Sequence, residues 1–351
     1  MLTYTIRRLL IAIPIFLGIT ILLFFLVSIS PDGGPIAAYV GPGKHLSPAN
    51  LIALEHRFGL DQPVPVRYFL WLQRLVQGDL GNSTQTGQAV TTELRERIPP
   101  TILLIGISFF FQELMAIPLG IFSALRRYSL FDQVFTVISY ILFSLPTFWY
   151  GLMLIILFGV VFQLPDPNNP GFFHGLLPFS GMVNARNSPP FSLTPGSPYL
   201  TYFTHNTAAA LGDLSLHLVL PVIVLATVGV AGDSRFMRAS MLDVISMDYI
   251  RTARAKGLPQ RVVIWKHAVR NAILPIVTNI GLQLPALLGG AIVTETIFSW
   301  PGMGSFYVKA AGSGDYPVVM AYTALLAVAI ILFNLLTDLS YAFVDPRIRY
   351  T

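Results

Sequence analysis

Apolar residues in this chain gather in long, nearly unbroken runs, and the polar residues gather between them. The first run, Leu9–Ile29, is almost wholly apolar. As one helix it is long enough to cross the roughly 30 Å hydrocarbon core of a bilayer. Five more runs follow: Thr101–Ala124, Phe131–Val161, Leu214–Val230, Ile273–Phe298 and Val318–Tyr341. The pattern predicts an all-α polytopic membrane protein with six transmembrane helices. Pro14 is placed to bend the first. The third run is longer than a span needs and carries Pro146 near its middle, which predicts a tilt or kink. Pro275, Pro285 and the pair Gly289-Gly290 interrupt the fifth.

The stretches between the runs divide the chain. Residues 1–29 are a tail and first span, 30–99 an outer polar segment, and 100–351 a core with an outer loop at 163–213 and an inner loop at 235–271. In the outer segment, Ser47-Pro48 predicts a helix start and Gly59 its end. A second helix is expected after Pro65, with Phe69, Leu72 and Val76 on one face. Gly78-Asp79-Leu80-Gly81 reads as a turn. The loop 163–213 is rich in Pro, Gly, Asn and Ser, with Arg186 its one basic residue. It is expected to be irregular apart from a short re-entrant or interfacial helix. Ser299–Gly304 reads as a turn-rich outer loop.

The most charged stretch is Asp248–Asn271, DYIRTARAKGLPQRVVIWKHAVRN. Asp248 is expected to cap a helix starting at Tyr249. Gly257 stops that helix in a left-handed position. Pro259 suits the first turn of a second helix. The product is a short helix, a sharp turn and a second helix, held between two spans.

Composition narrows the class. Of 351 residues 54% are hydrophobic and 11% charged, against roughly a quarter charged in a soluble domain. There is no cysteine, which excludes disulfides and thiol chemistry. The net charge of +5 matters less than its placement. Fourteen of the 22 Lys and Arg residues are Arg7, Arg8, Arg126, Arg127, eight residues between 235 and 271, Arg347 and Arg349. That bias puts both termini and the charged loop in the cytoplasm. The basic residues stand beside spans and do not form a nucleic-acid patch.

Familiar chemistry is missing. Gly43-Lys44 is followed by His45, so no nucleotide-binding loop is present. The six histidines are scattered without metal-ligand spacing. No G-x-S-x-G elbow occurs. Two carboxylates, Glu113 and Glu295, fall inside predicted spans, where an exposed charge is costly. Each has two readings: a pathway or gate residue, or a structural partner for a hydroxyl, backbone group or arginine. Pro301 and Gly302, just beyond Glu295, join it as gate candidates.

The charged loop resembles the EAA loop of bacterial ABC-importer permeases. Arg251-Thr252-Ala253 stand where that motif has E-A-A, and Gly257 falls at its glycine. His267-Ala268-Val269-Arg270 replace its I-x-L-P, a departure typical of the dipeptide/oligopeptide permease family. The runs FGLDQP, GDLGNS and ETIFSWPGMG and the ending VDPRIR are similar to signatures of that same family. The resemblance implies a permease subunit that docks cytoplasmic ATPases through Tyr249, Arg251, Thr252, Ala253, Arg254, Ala255, Lys256 and Gly257. It implies as partners a second homologous permease, two ABC ATPases and an extracytoplasmic binding protein, besides membrane lipid. It implies no cofactor in this chain, ATP being bound by the ATPases, and a bacterial inner-membrane location. The rival is an ion-gradient-driven secondary transporter, for which the segment lengths give no convincing inverted repeat. Lipid headgroup contact is the plainer reading of the loop itself.

Overall fold

The computed structural model describes residues 2–29, 61–165, 173–184, 188–193 and 195–344. Helix α1, Leu2–Ser28, runs through Pro14. Helix α2, Val64–Val76, opens with Pro63 at its N-cap and Pro65 in its first turn, where a missing N–H costs nothing. Its expected apolar face is not the one that docks. Tyr68 is buried, while Phe69 and Val76 are 68% and 81% exposed. The docking face is set by the partner: the Tyr68 hydroxyl meets Thr20 Oγ1 on α1 at 2.9 Å, and its ring packs edge-on against Phe24. The turn at Gly78–Gly81 forms as expected. The helix expected between Ser47 and Gly59 lies outside the described residues.

Helix α3, Val90–Leu125, begins well before the predicted span. The third run breaks in two: α4, Leu130–Ser144, and α5, Thr147–Ile155, which continues as a π-helical stretch Ile156–Val161. The two pieces bend by 100°. Pro146 is the cause. A proline bars the preceding residue from the helical region, and Leu145 is extended at φ −76°, ψ 130°.

The outer loop is more ordered than expected. Strands β1, Gln163–Pro165, and β2, Phe173–Gly175, pair antiparallel with Leu164 opposite His174. Helix α6, Pro198–His205, is capped by the Ser197 hydroxyl. Arg186 lies outside the described residues. Helix α7, Thr207–Ser246, has 40 residues. It runs beyond the predicted Leu214–Val230 span and takes in Asp233, Arg235 and Arg238. Helix α8, Asp248–Ala255, follows, then a turn Gln260–Val262, a π-helical stretch Val263–Val269 and α9, Arg270–Ile297. The fifth apolar run is therefore not interrupted: the helix continues past Pro275, Pro285 and the glycine pair. Helix α10, Met303–Gly312, takes up the end of the expected outer loop, and α11, Tyr316–Val344, closes the chain.

The helices form two units. One contains residues 1–100 and 301–335, the other residues 101–300 and 336–348. The first unit packs Val90 and Leu94 of α3 with Phe306 and Ala310 of α10 and Val318 of α11. Asp315 ties its loop down, accepting from the Ser83 hydroxyl and, at 3.0 Å, from the Thr84 N–H. The second unit is centred on α7. Among the described residues four helices are long and apolar enough to cross a membrane, α1, α3, α7 and α11, or five spans if α4 and α5 count as one.

Candidate functional site

Helix α8 has two faces. Ile250 and Ala253, three residues apart and so on one side, are buried. They join Ile121 and Ala124 of α3, Met237 and Met241 of α7, Val263 and Ala268, and Ala272 and Ile276 of α9 in one core. Tyr249, Arg251, Thr252, Arg254, Ala255 and Lys256 are exposed. This corrects the expectation for Ala253: its methyl faces the protein's own core, because it shares the inward side with Ile250.

The ends of α8 explain its fixed direction. Asp248 is not the cap. Met247 takes the extended N-cap conformation and no side chain caps the helix. Asp248 stands in the first turn, its carboxylate 3.7 Å from Arg251, where a negative charge still favours the helix N-terminus. At the other end Gly257 N–H donates to Arg254 O at 2.9 Å and Leu258 N–H to Ala253 O at 3.4 Å. That pair of bonds is the Schellman closure. It requires the left-handed backbone that Gly257 adopts at φ +73°.

A second device braces the same end of the unit. Arg238 of α7 grips Asp132 of α4 with two bonds of 2.8 Å, Nε to Oδ1 and Nη2 to Oδ2. Asp132 also accepts from the Ser123 hydroxyl and from Tyr128 N–H at 2.9 Å. Sequence reasoning missed this pair. Ser129-x-x-Asp132 has capping-box spacing, and Ser129 does cap α4. The choice of Arg238 as partner, 106 positions away, has no local signal.

Polar side chains also meet among the spans. Asp233 is 3% exposed. Its Oδ2 accepts from Gln112 Nε2 at 2.6 Å, and its Oδ1 from Asn279 at 3.0 Å and Gln283 at 2.5 Å. Gln112 further bridges to Glu113 Oε1 at 3.2 Å. Gly229 makes this possible: a Cβ there would overlap the Gln112 amide. Glu113 thus belongs to a network centred on Asp233, which lies three residues past the apolar run Leu214–Val230.

Glu295 is fully buried and accepts from the Thr101 hydroxyl at 2.6 Å. Its carbonyl receives Trp300 N–H at 2.8 Å, and Trp300 packs among Leu104, Leu218 and Leu225. Pro301 and Gly302 belong to the other unit. Gly302 is the N-cap of α10 and its carbonyl accepts from Ser305 Oγ.

Long apolar helices, with a charged helix–turn–helix seated between two of them, define a multi-span membrane protein with an exposed basic surface on α8. The chain belongs to the family of binding-protein-dependent transport system inner membrane components, which matches residues 116–350; the N-terminal component of such systems matches residues 1–105. It is 40% identical to the oligopeptide transport system permease protein AppB of Bacillus subtilis (strain 168) over 351 residues, the whole of both chains. It is 40% identical to the dipeptide transport system permease protein DppB of Escherichia coli (strain K12) over 355 residues, covering 100% of this chain and 99% of that one. A solved structure of the MetNI methionine ABC transporter covers 70% of this chain at 15% identity, with a TM-score of 0.46. The family consists of transport subunits, not enzymes, and resides in the inner membrane.

Proposed function

We propose that this chain forms half of the translocation path of an ATP-driven importer for peptides or a similar small solute. The observation that carries the reading is full-length similarity to two peptide-system permeases. In this reading six spans cross the membrane: α1, α3, the bent pair α4–α5, α7, α9 and α11, with both termini in the cytoplasm. A second homologous permease completes the path, two cytoplasmic ATPases bind and hydrolyse ATP, and an extracytoplasmic protein delivers substrate. The chain itself needs no cofactor.

The exposed face of α8 docks an ATPase through Arg251, Arg254 and Lys256 with Tyr249 and Thr252. Ile250 and Ala253 pass the motion on, since they are packed with the ends of α3, α7 and α9. A close-packed interior transmits such displacement instead of absorbing it. Glu295 serves as a tie through Thr101. Glu113 stands beside the Asp233 network within the membrane.

The test is ATP-dependent uptake in vesicles holding this chain, its partner permease, ATPases and binding protein. Combined Arg251→Glu, Arg254→Glu and Lys256→Glu should abolish ATPase co-purification and uptake while leaving the chain inserted. Uptake that needs no ATP and collapses with an ionophore would instead identify a gradient-driven carrier.

A further inference from the structure

Helices α3, α4 and α7 enclose a groove of about 710 Å³ that the docking reading does not use. Its walls are nearly all hydrocarbon, with Phe111, Leu119, Ile138 and Val222 among them. Thr227, one of its few polar residues, spends its hydroxyl on the Ile223 carbonyl of its own helix. Along α7 the groove extends from Ser215 to Ala231, roughly 24 Å at 1.5 Å per residue. An acyl chain of one leaflet covers about half of a ~30 Å core, so the groove has room for it lengthwise.

One turn beyond Ala231 stands Arg235. Its Nε donates to the Ala231 carbonyl at 2.9 Å, which fixes the guanidinium at the groove's end. The rings of Tyr140 and Phe143 flank it, each 4.8 Å from centroid to guanidinium carbon. Among the described residues no carboxylate pairs with Arg235, whereas its neighbour Arg238 is held by Asp132. A guanidinium carries five donors, and the Nη groups of Arg235 face no protein acceptor among those residues. A cation at the end of a span calls for an anion. Phosphate is the anion that bilayers supply at that level, and arginine binds it bidentately.

We propose that this groove binds a phospholipid, with one acyl chain along α7 between α3 and α4 and the phosphate on the Nη groups of Arg235. Tyr140 and Phe143 hold the guanidinium in place. A helix of another protein would fit the walls, but it would have to bring a carboxylate to Arg235 at membrane depth, which is costly. Lipid binding here does not depend on the transport reading.

The experiment uses the full chain in vesicles containing phosphatidylglycerol with a photoreactive acyl chain, followed by peptide mapping and by counting phosphatidylglycerol retained after purification. Label should concentrate on the α7 wall of the groove over the exposed Leu22 of α1. Arg235→Gln should lower retention about tenfold, the scale of one charge-assisted hydrogen bond, and Arg235→Lys should restore part of it. Ile223→Trp, which fills the groove and spares Arg235, should lower it too; it decides the matter if Arg235→Gln fails to fold. Equal label on Leu22 and the groove would overturn the proposal, as would unchanged retention in Ile223→Trp. Crosslinks from Ile138 to another polypeptide would show that a partner helix occupies the site.

Discussion

At the residue scale, a small side chain in a charged loop has opposite meanings depending on which way it faces. The family resemblance counts Ala253 among the contacts of a docking partner. Its burial beside Ile250 makes it a core residue. Ala253→Asp should therefore place an unpaired charge inside the protein's own packing, at a cost of several kcal/mol. Its first sign should be a lower yield of folded chain and a lower melting temperature in detergent, before any ATPase is added. Normal melting would put Ala253 on an outward surface after all. Asp233 makes the same point for polar groups. Asp233→Leu should strand two amide donors, from Asn279 and Gln283, while Gln112 keeps Glu113 and the Gln283 side-chain oxygen as acceptors. Each buried donor left unmet costs about 1–3 kcal/mol. Asp233→Asn keeps an acceptor and should melt well above Asp233→Leu.

At the element scale, direction is what the α8 closure and the Arg238 grip provide. Gly257→Val forces a β-branched residue into the left-handed region, a penalty of roughly 1–2 kcal/mol or more. It should loosen the turn between α8 and the π-helical stretch, seen as faster amide exchange at Leu258 and uncoupled ATP hydrolysis. Arg238→Ala should cost roughly 1.5–3 kcal/mol, the worth of bonds to a charged group, because it leaves Asp132 buried without its cation. The exchanged pair Asp132→Arg with Arg238→Asp should recover only part, since Ser123 and Tyr128 donate to a carboxylate at position 132. Full recovery would mean that those two donors contribute nothing. The glycine stop was legible because glycine adopts that backbone far more readily than other residues do. The grip was not, because it joins helices that are far apart in the chain.

At the scale of the whole molecule, the proposed six-span arrangement assigns each loop to one side of the membrane. The native chain has no cysteine, so single cysteines report without background. Cysteines at Asn82, Thr204 and Ser313, all exposed, should react with an impermeant thiol reagent from outside. Cysteines at Ser129 and Gln260 should react only after permeabilisation. Ser188 is a poor reporter, being buried and bonded to Asp213. Labelling of Gln260 from outside would reverse the arrangement and remove the docking surface from the ATPases.

The sequence by itself determined that the chain is a helical membrane protein, because long apolar runs leave a bilayer-embedded backbone no other way to satisfy its hydrogen bonds than an internal ladder. It also determined the bend near Pro146 and the stop at Gly257, both dictated by local backbone sterics. Tertiary structure alone decided which side of α8 is inward and that Asp233 lies within a helix among three amides. It alone decided that Arg238 pairs with Asp132 while Arg235, among the described residues, meets no carboxylate. Those outcomes depend on what packs opposite each residue, and periodicity along one chain carries no record of the facing surface.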